Sequence, residues 1–349
     1  MFIPTRCTPR IGRLFRWSCL FVIIGSTVPS SPSARADAPP FFKGVTVSCQ
    51  TTGIEWQTPE MEQTLSELHS LGVNSVAIHP YAQIREDGHV IPWQRAGTGY
   101  ITTPLAWAHQ LGMSTMLIPH IAYWGTKFSW RGEINFATPQ EWDRFFADYQ
   151  TWIVEMAKLA EASHSELFCV GLEFSNAEKF PEGWRKIIAA VRQVYHGKVT
   201  YGANWNEYEN VKFWDALDYI GVLAYFPLTK TANPSTAEIE AAWAKKCAEL
   251  ARFSASNGGK RFVFTEIGYN ESARAAAEPW GFKTGGDHAA EIQQRCIDVA
   301  LTLSEKMPCL AGMFWWKWFP EVPHHHEENY RLQTPEIKAL LAKRWGTSR

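Results

Sequence analysis

The chain has almost no net charge. Its 34 lysines and arginines meet 35 aspartates and glutamates, a formal balance of −1 over 349 residues, which leaves no electrostatic footprint for a phosphate backbone or an anionic bilayer. Nucleic acid is therefore not an expected partner. No GxGxxG follows the first strand-like run, so a dinucleotide-binding fold lacks support. There is also no CxxC and no zinc-ligand spacing, so no metal or other cofactor is expected. The adjacent His324, His325 and His326 with Glu327 and Glu328 read as a solvated loop, because neighbouring histidines in a loop rarely converge on one ion.

Aromatic residues are plentiful, at 14% with 17 tryptophans, and 46% of the chain is hydrophobic, enough for one sizeable core. Most large aromatics pack, yet an excess of them suits a surface that stacks flat apolar faces.

The first 36 residues read as an export signal rather than as fold. Arg6, Arg10, Arg13 and Arg16 form a basic segment, residues 17–28 an apolar run too short to span a bilayer comfortably, and Ala34-Arg35-Ala36 a cleavage site. The mature chain is expected to begin near Asp37 and to be secreted or periplasmic with no membrane contact, an uncleaved anchor being the alternative. Cleavage leaves Cys49, Cys169, Cys247, Cys296 and Cys309, an odd count that cannot be fully paired. Cys49, Cys169 and Cys309 lie in apolar strand-like runs as expected buried thiols, and Cys247 and Cys296, in helical segments, are the candidate pair.

From Phe42 onward, strand-like runs alternate with helical patterns. The runs are 43–49, 75–79, 115–120, 167–174, 199–205, 219–225, 261–267 and 310–316. Thr58-Pro59, Thr103-Pro104, Thr138-Pro139 and Thr334-Pro335 read as N-caps with proline at the first helical position, Glu141 completing a capping box. Gly72, Gly112, Gly197 and Gly258 read as helix stops. Eight βα units in one domain, 37–349, point to an α/β protein of the (β/α)8 TIM-barrel class, whose active sites lie at the C-terminal ends of the strands.

Two such ends carry a glutamate. In the fourth run, strand alternation places Cys169, Gly171 and Glu173 on the inner face and Phe168, Val170 and Leu172 on the outer. The seventh run ends in Glu266. Strands four and seven of an eight-strand ring face each other, so both carboxyls enter one pocket, as in retaining glycosidases, where they stand roughly 5 to 5.5 Å apart. The alternative is a pair of strand-end glutamates bridged to arginines.

The segments GLEFSNAE (171–178), YGANW (201–205), DYIGVLAYFPL (218–228), FTEIGY (264–269) and FWWKW (314–318) resemble glycoside hydrolase family 113. The resemblance runs from about Lys43 to Trp318. It implies a β-mannanase on a (β/α)8 barrel, with Glu173 as acid/base and Glu266 as nucleophile of a double displacement. Many members of the wider clan have asparagine directly before the acid/base, contacting the sugar 2-hydroxyl. Leu172 stands there instead, which leaves Asn204 and Asn176 as candidates for that contact.

Tyr225 shares the parity of Gly221 and Leu223 and is placed to hydrogen-bond Glu266; a satisfied core tyrosine is the alternative. His79 and His120, ending strands two and three, are candidate sugar ligands or structural histidines. Trp124, Trp130, Trp205, Trp280, Trp316 and Trp318 lie at or beyond strand ends as candidate stacking platforms, with packing as the alternative. The expected substrate is a β-linked polysaccharide or oligosaccharide acted on by a monomer. A β-glucan or xylan in place of mannan stays open, as does a non-catalytic sugar-binding barrel. Burial and the neighbouring charge are expected to raise the acid Glu173.

Overall fold

In chain order the strands are β1 (Phe42–Val47), β2 (Ser75–Ile78), β3 (Tyr81–Ile84), β4 (Val90–Pro92), β5 (Ser114–Leu117), β6 (His120–Ala122), β7 (Leu167–Leu172), β8 (Lys198–Asn204), β9 (Ile220–Leu223), β10 (Phe262–Ile267) and β11 (Leu310–Trp318). The helices are α1 (Pro59–Ser70), α2 (Gly99–Gln110), α3 (Pro139–Ala162), α4 (Pro181–Arg192), α5 (Thr236–Ser256), α6 (Ala289–Ser304) and α7 (Pro335–Trp345). These come from a computed structural model, which describes residues 41–93, 97–320 and 330–346. The expected export signal and the three consecutive histidines lie outside the described residues.

Eight parallel strands close a barrel in the order β1-β11-β10-β9-β8-β7-β5-β2. All eight sequence runs become its staves. The three-stranded sheet β4-β3-β6 was not anticipated: β3 pairs antiparallel with β4 and parallel with β6, so the segments after the second and third staves form a wall above the barrel mouth.

Apolar side chains form two layers. The barrel interior holds Ala77, Met116, Leu167, Cys169, Leu172, Leu223, Val263 and Phe314. The larger layer lies between sheet and helices, where α3 buries Trp142, Phe145, Tyr149, Trp152 and Ile153 at helical spacing. Each such side chain contributes roughly 1.5–3 kcal/mol of burial.

Helix ends follow the sequence unevenly. Thr138 accepts from the Glu141 N–H at 3.3 Å while Glu141 accepts from the Thr138 N–H at 2.8 Å, completing the capping box, and Thr334 caps Ile337. Thr58 stands as expected at the N-cap of α1 with Pro59 in the first turn, though its hydroxyl donates to the Glu55 carbonyl, whereas Thr103 and Pro104 lie inside α2, which begins at Gly99. Gly72, Gly112 and Gly258 end helices with positive φ, whereas Gly197 is absent from the left-handed positions and lies against the Tyr195 ring. Cys247 and Cys296, the candidate pair, are both free thiols. Cys296 is buried on α6, and the thiol that neighbours Cys247 is Cys309, which is half-buried rather than buried as expected.

Candidate active site

Glu173 is presented by an irregular strand end. Between Cys169 and Leu172 the β7–β8 ladder slips register, so Leu172 joins the barrel interior, and a Cβ on Gly171 would lie 2.8 Å from the Trp184 ring and 3.0 Å from the Tyr149 hydroxyl on the helix side. The parity expected for Gly171 and Leu172 is thus reversed by the slip. Glu173 nevertheless reaches the mouth, because its backbone turns into the left-handed region at φ 59. Hydrogen bonds fix that turn. The Glu173 N–H donates to the Gly202 carbonyl at 2.9 Å, the Phe174 N–H donates to the Tyr201 hydroxyl at 3.1 Å, and that hydroxyl donates to Glu178 at 2.9 Å. Burial pushes the Glu178 carboxyl up to about 8, against the lowering effect of the Tyr201 hydroxyl.

Glu266 is 6% exposed near the end of β10. The Tyr225 hydroxyl donates to its Oε2 at 2.9 Å, and Nε2 of His120 lies 3.6 Å from its Oε1. Burial first, then the charge of Glu173, pushes the Glu266 carboxyl up to about 8, while Arg131, Tyr225 and Lys317 pull it down. The burial expected to act on Glu173 therefore falls on Glu266, because the Glu173 side chain is 20% exposed and that of Glu266 only 7%.

Arg131, in a 3-10 turn beyond β6, was not singled out in the sequence. Its Nη1 donates to Glu173 Oε2 at 2.6 Å, its Nε to the Ile121 carbonyl at 2.9 Å and its Nη2 to His120 Nδ1 at 3.0 Å. A guanidinium has no acceptor, so His120 Nδ1 must carry the lone pair and Nε2 the proton. Burial, then Arg131, holds His120 well below its ordinary value and keeps it neutral. Its ring stacks on His79 at 4.7 Å and on Trp316 at 5.8 Å. His79 is also kept neutral, by burial first, and neither ring nitrogen finds a partner among the described residues.

Aromatic rings flank this centre on two sides. On the sheet wall, Tyr81, Trp93 and Trp124 cluster at 5.0–5.9 Å, with Trp124 52% exposed. On the other side, Trp205 at the end of β8 stacks on Trp280 at 5.2 Å and 15°, and Trp280 is 43% exposed. Trp316 is half-buried over the histidines. Trp318 is not in the site. β11 bulges against β1 so that Thr46 and Val47 face Trp316 and Trp318, and Trp318 is fully buried on the helix side. The skipped Lys317 is buried near Glu266 and His79.

The remaining candidates brace the site. Asn176 donates to the Gly132 carbonyl at 2.9 Å, tying the end of β7 to the turn that carries Arg131. The exposed Trp130 ring covers Gly132 in that turn. Asn204 donates to Ser175 and Glu207, each at 3.0 Å. Among the described residues no cluster of histidine, cysteine or carboxylate side chains could hold a metal ion.

A β/α barrel whose mouth holds two strand-end carboxyls, linked through Arg131 and His120 and set among stacking aromatics, has the architecture of a glycoside hydrolase. Residues 45–333 match the profile of Glycoside Hydrolase Family 113, and the chain belongs to that family. Among solved structures, the GH113 β-mannanase of Alicyclobacillus acidocaldarius in complex with ManMIm is similar, at 26% identity and a TM-score of 0.75, over 88% of this chain and 97% of that one. A GH113 β-1,4-mannanase matches at 25% identity and a TM-score of 0.74, over 89% and 100%. A glycoside hydrolase family 5 mannosidase from Rhizomucor miehei, 11% identical with a TM-score of 0.55 over 89% and 94%, shares the fold. Comparison with curated proteins finds no match.

Proposed function

We propose that the protein is an exported, retaining, endo-acting β-1,4-mannanase. The observation that carries this reading is the convergence of two strand-end carboxyls at the barrel mouth, where Arg131 bonds Glu173 at 2.6 Å and His120 at 3.0 Å, and His120 Nε2 lies 3.6 Å from Glu266. In the first half-reaction Glu266 attacks the anomeric carbon as the glycosidic bond breaks, and the departing oxygen takes the proton of Glu173. In the second, a water oxygen attacks the same carbon, its proton passes to Glu173, and the ester bond to Glu266 breaks with its electron pair returning to that carboxylate. The cycle needs one proton on the pair, held by Glu173 with Glu266 ionised when the sugar is bound.

Endo action is supported by the two aromatic platforms, Tyr81–Trp93–Trp124 and Trp205–Trp280, which offer stacking faces on either side of the carboxyls. Mannan is supported by the β-mannanases among the similar structures. Buried His120 is committed to the carboxyl pair, its Nδ1 taken by Arg131 and its Nε2 facing Glu266, which leaves His79 as the ring whose two nitrogens lack a partner among the described residues. The test is turnover of mannan, glucomannan, xylan and β-glucan with product sizing. Preference for mannan and early oligosaccharide products are expected; preference for xylan or β-glucan would overturn the substrate, and monosaccharide alone the endo mode. Export is tested by amino-terminal sequencing, with Asp37 expected and an intact Met1 on a membrane-bound chain as the contrary result.

A further inference from the structure

Among the described residues, one cation reaches both halves of the carboxyl pair. Arg131 touches Glu173 directly, and by occupying Nδ1 of His120 it directs the Nε2 proton of that ring toward Oε1 of Glu266. Three separate anchors fix the guanidinium: a backbone carbonyl, a carboxylate and an imidazole nitrogen. Its turn is braced in addition by Asn176. A side chain held this way is preorganised. Its charge is already in place when Glu173 loses its proton.

We propose that Arg131 is the positioning residue of the carboxyl pair, stabilising the ionised form of Glu173 and setting the tautomer of His120 that faces Glu266. This rests on the reading of Glu173 and Glu266 as a catalytic pair. In the first half-reaction the proton leaves Glu173 for the departing oxygen, and the negative charge that remains is met by Nη1 at 2.6 Å. In the second, the same carboxylate takes a proton from water, and the ion pair keeps it aimed until then. The guanidinium keeps its own proton throughout. Despite burial, which works against its charge, Arg131 is held above its ordinary value by Glu173, Tyr81, Glu266 and Tyr123.

The charged and titratable groups around it come from every neighbouring element. They are Tyr81 on β3, His120 on β6, Tyr123 after it, Tyr149 on α3, Glu173 after β7 and Glu266 on β10, with His79 after β2. Lys317 on β11 is the other cation, and it acts on Glu266 and His79. Losing Arg131 therefore leaves the pair with Lys317 as its positive neighbour among the described residues, and the pair should bind its protons more tightly.

The test compares wild type, Arg131→Gln and Arg131→Lys, each carrying 13C-carboxyl glutamate, with Glu173→Gln and Glu266→Gln spectra assigning the two signals. In Arg131→Gln the pair's titration should move to higher pH by about one unit or more, and Arg131→Lys should recover most of that shift. The alkaline limb of kcat/KM on polysaccharide should move upward in the same order. Superimposable titrations in the three proteins, or a lysine variant indistinguishable from glutamine, would overturn the proposal. Should Arg131→Gln fail to fold, Arg131→Met, which removes the same charge with a long apolar side chain, takes its place, and a wild-type titration in that variant would overturn the proposal. The NMR readout needs no substrate, so a protein that ignores mannan would refute the substrate reading while the titrations still decide the role of Arg131.

Discussion

The Tyr225 hydroxyl points its proton at Oε2 of Glu266, 2.9 Å away, from a tyrosine two residues beyond the end of β9. Burial first and the carboxyl next hold that phenol well above its ordinary value, so it donates at every working pH. A hydrogen bond to a charged group contributes about 1.5–3 kcal/mol. Tyr225→Phe is expected to lower kcat/KM by roughly 10–150-fold. Because the bond favours ionised Glu266, its loss should also move the acid limb of the pH profile to higher pH. An unchanged profile with a uniformly lower rate would make Tyr225 a packing residue.

The roles of the two carboxyls are separable by trapping. A 2-deoxy-2-fluoro glycoside slows the second half-reaction, and peptide mapping should place the resulting ester on Glu266; an ester on Glu173 would reverse the assignment. Glu266→Ala should abolish turnover of all substrates. Glu173→Ala should spare substrates with activated aryl leaving groups, and azide should rescue it to a β-glycosyl azide. Proton NMR of the first product from mannan should show the β-anomer, whereas an initial α-anomer would mean inversion.

Glu178 gives the fold a pH dependence of definite sign. Its folded value near 8 lies above the ordinary 4.5, so the stability it adds is complete below about 4.5 and is lost as pH rises toward 8. The Tm of the wild type should fall between pH 5 and 8.5. Glu178→Gln should flatten part of that slope, leaving the share due to Glu266, which is raised in the same direction. Equal slopes in the two proteins would contradict the protonated Glu178.

The tryptophans divide by exposure. Trp124→Ala and Trp280→Ala should each weaken polysaccharide use by about 1–3 kcal/mol in transition-state terms with little change in Tm. Trp318→Ala should instead remove about 3–5 kcal/mol of stability, since that indole is fully buried. Thermal melts beside kcat/KM for the three variants decide it, and a Tm loss for Trp280→Ala as large as that for Trp318→Ala would refute the platform.

The barrel was legible because its signal is periodic: eight apolar runs, separated by helical patterns, became the eight staves within one or two residues at most ends. The meeting of Glu173, Glu266 and Tyr225 at the barrel mouth was legible because side chains at the ends of staves converge there. Position was harder to read than presence. Strand parity failed at Gly171–Leu172 and again at Trp316–Trp318, since a bulge shifts alternation without any mark in composition. Thr103-Pro104 reads as a cap by local chemistry, yet α2 begins earlier. Arg131 carries no local signal at all. It sits in an irregular segment, and its contacts with His120, 11 residues away, and Glu173, 42 residues away, exist only once the barrel closes.

The left-handed backbone of Glu173, at φ 59, bears on how this chain can change over time. For a residue with a side chain that conformation costs on the order of 1–3 kcal/mol, so selection for stability alone favours Glu173→Gly or Glu173→Asn. Either replacement made singly would strand the Arg131 guanidinium in a buried place without its carboxylate, a loss larger than the strain relieved. The two positions are therefore bound to each other in descent. A lineage that abandons the chemistry should replace both together, and a homologue with a neutral residue at one and arginine still at the other should be rare and thermally fragile.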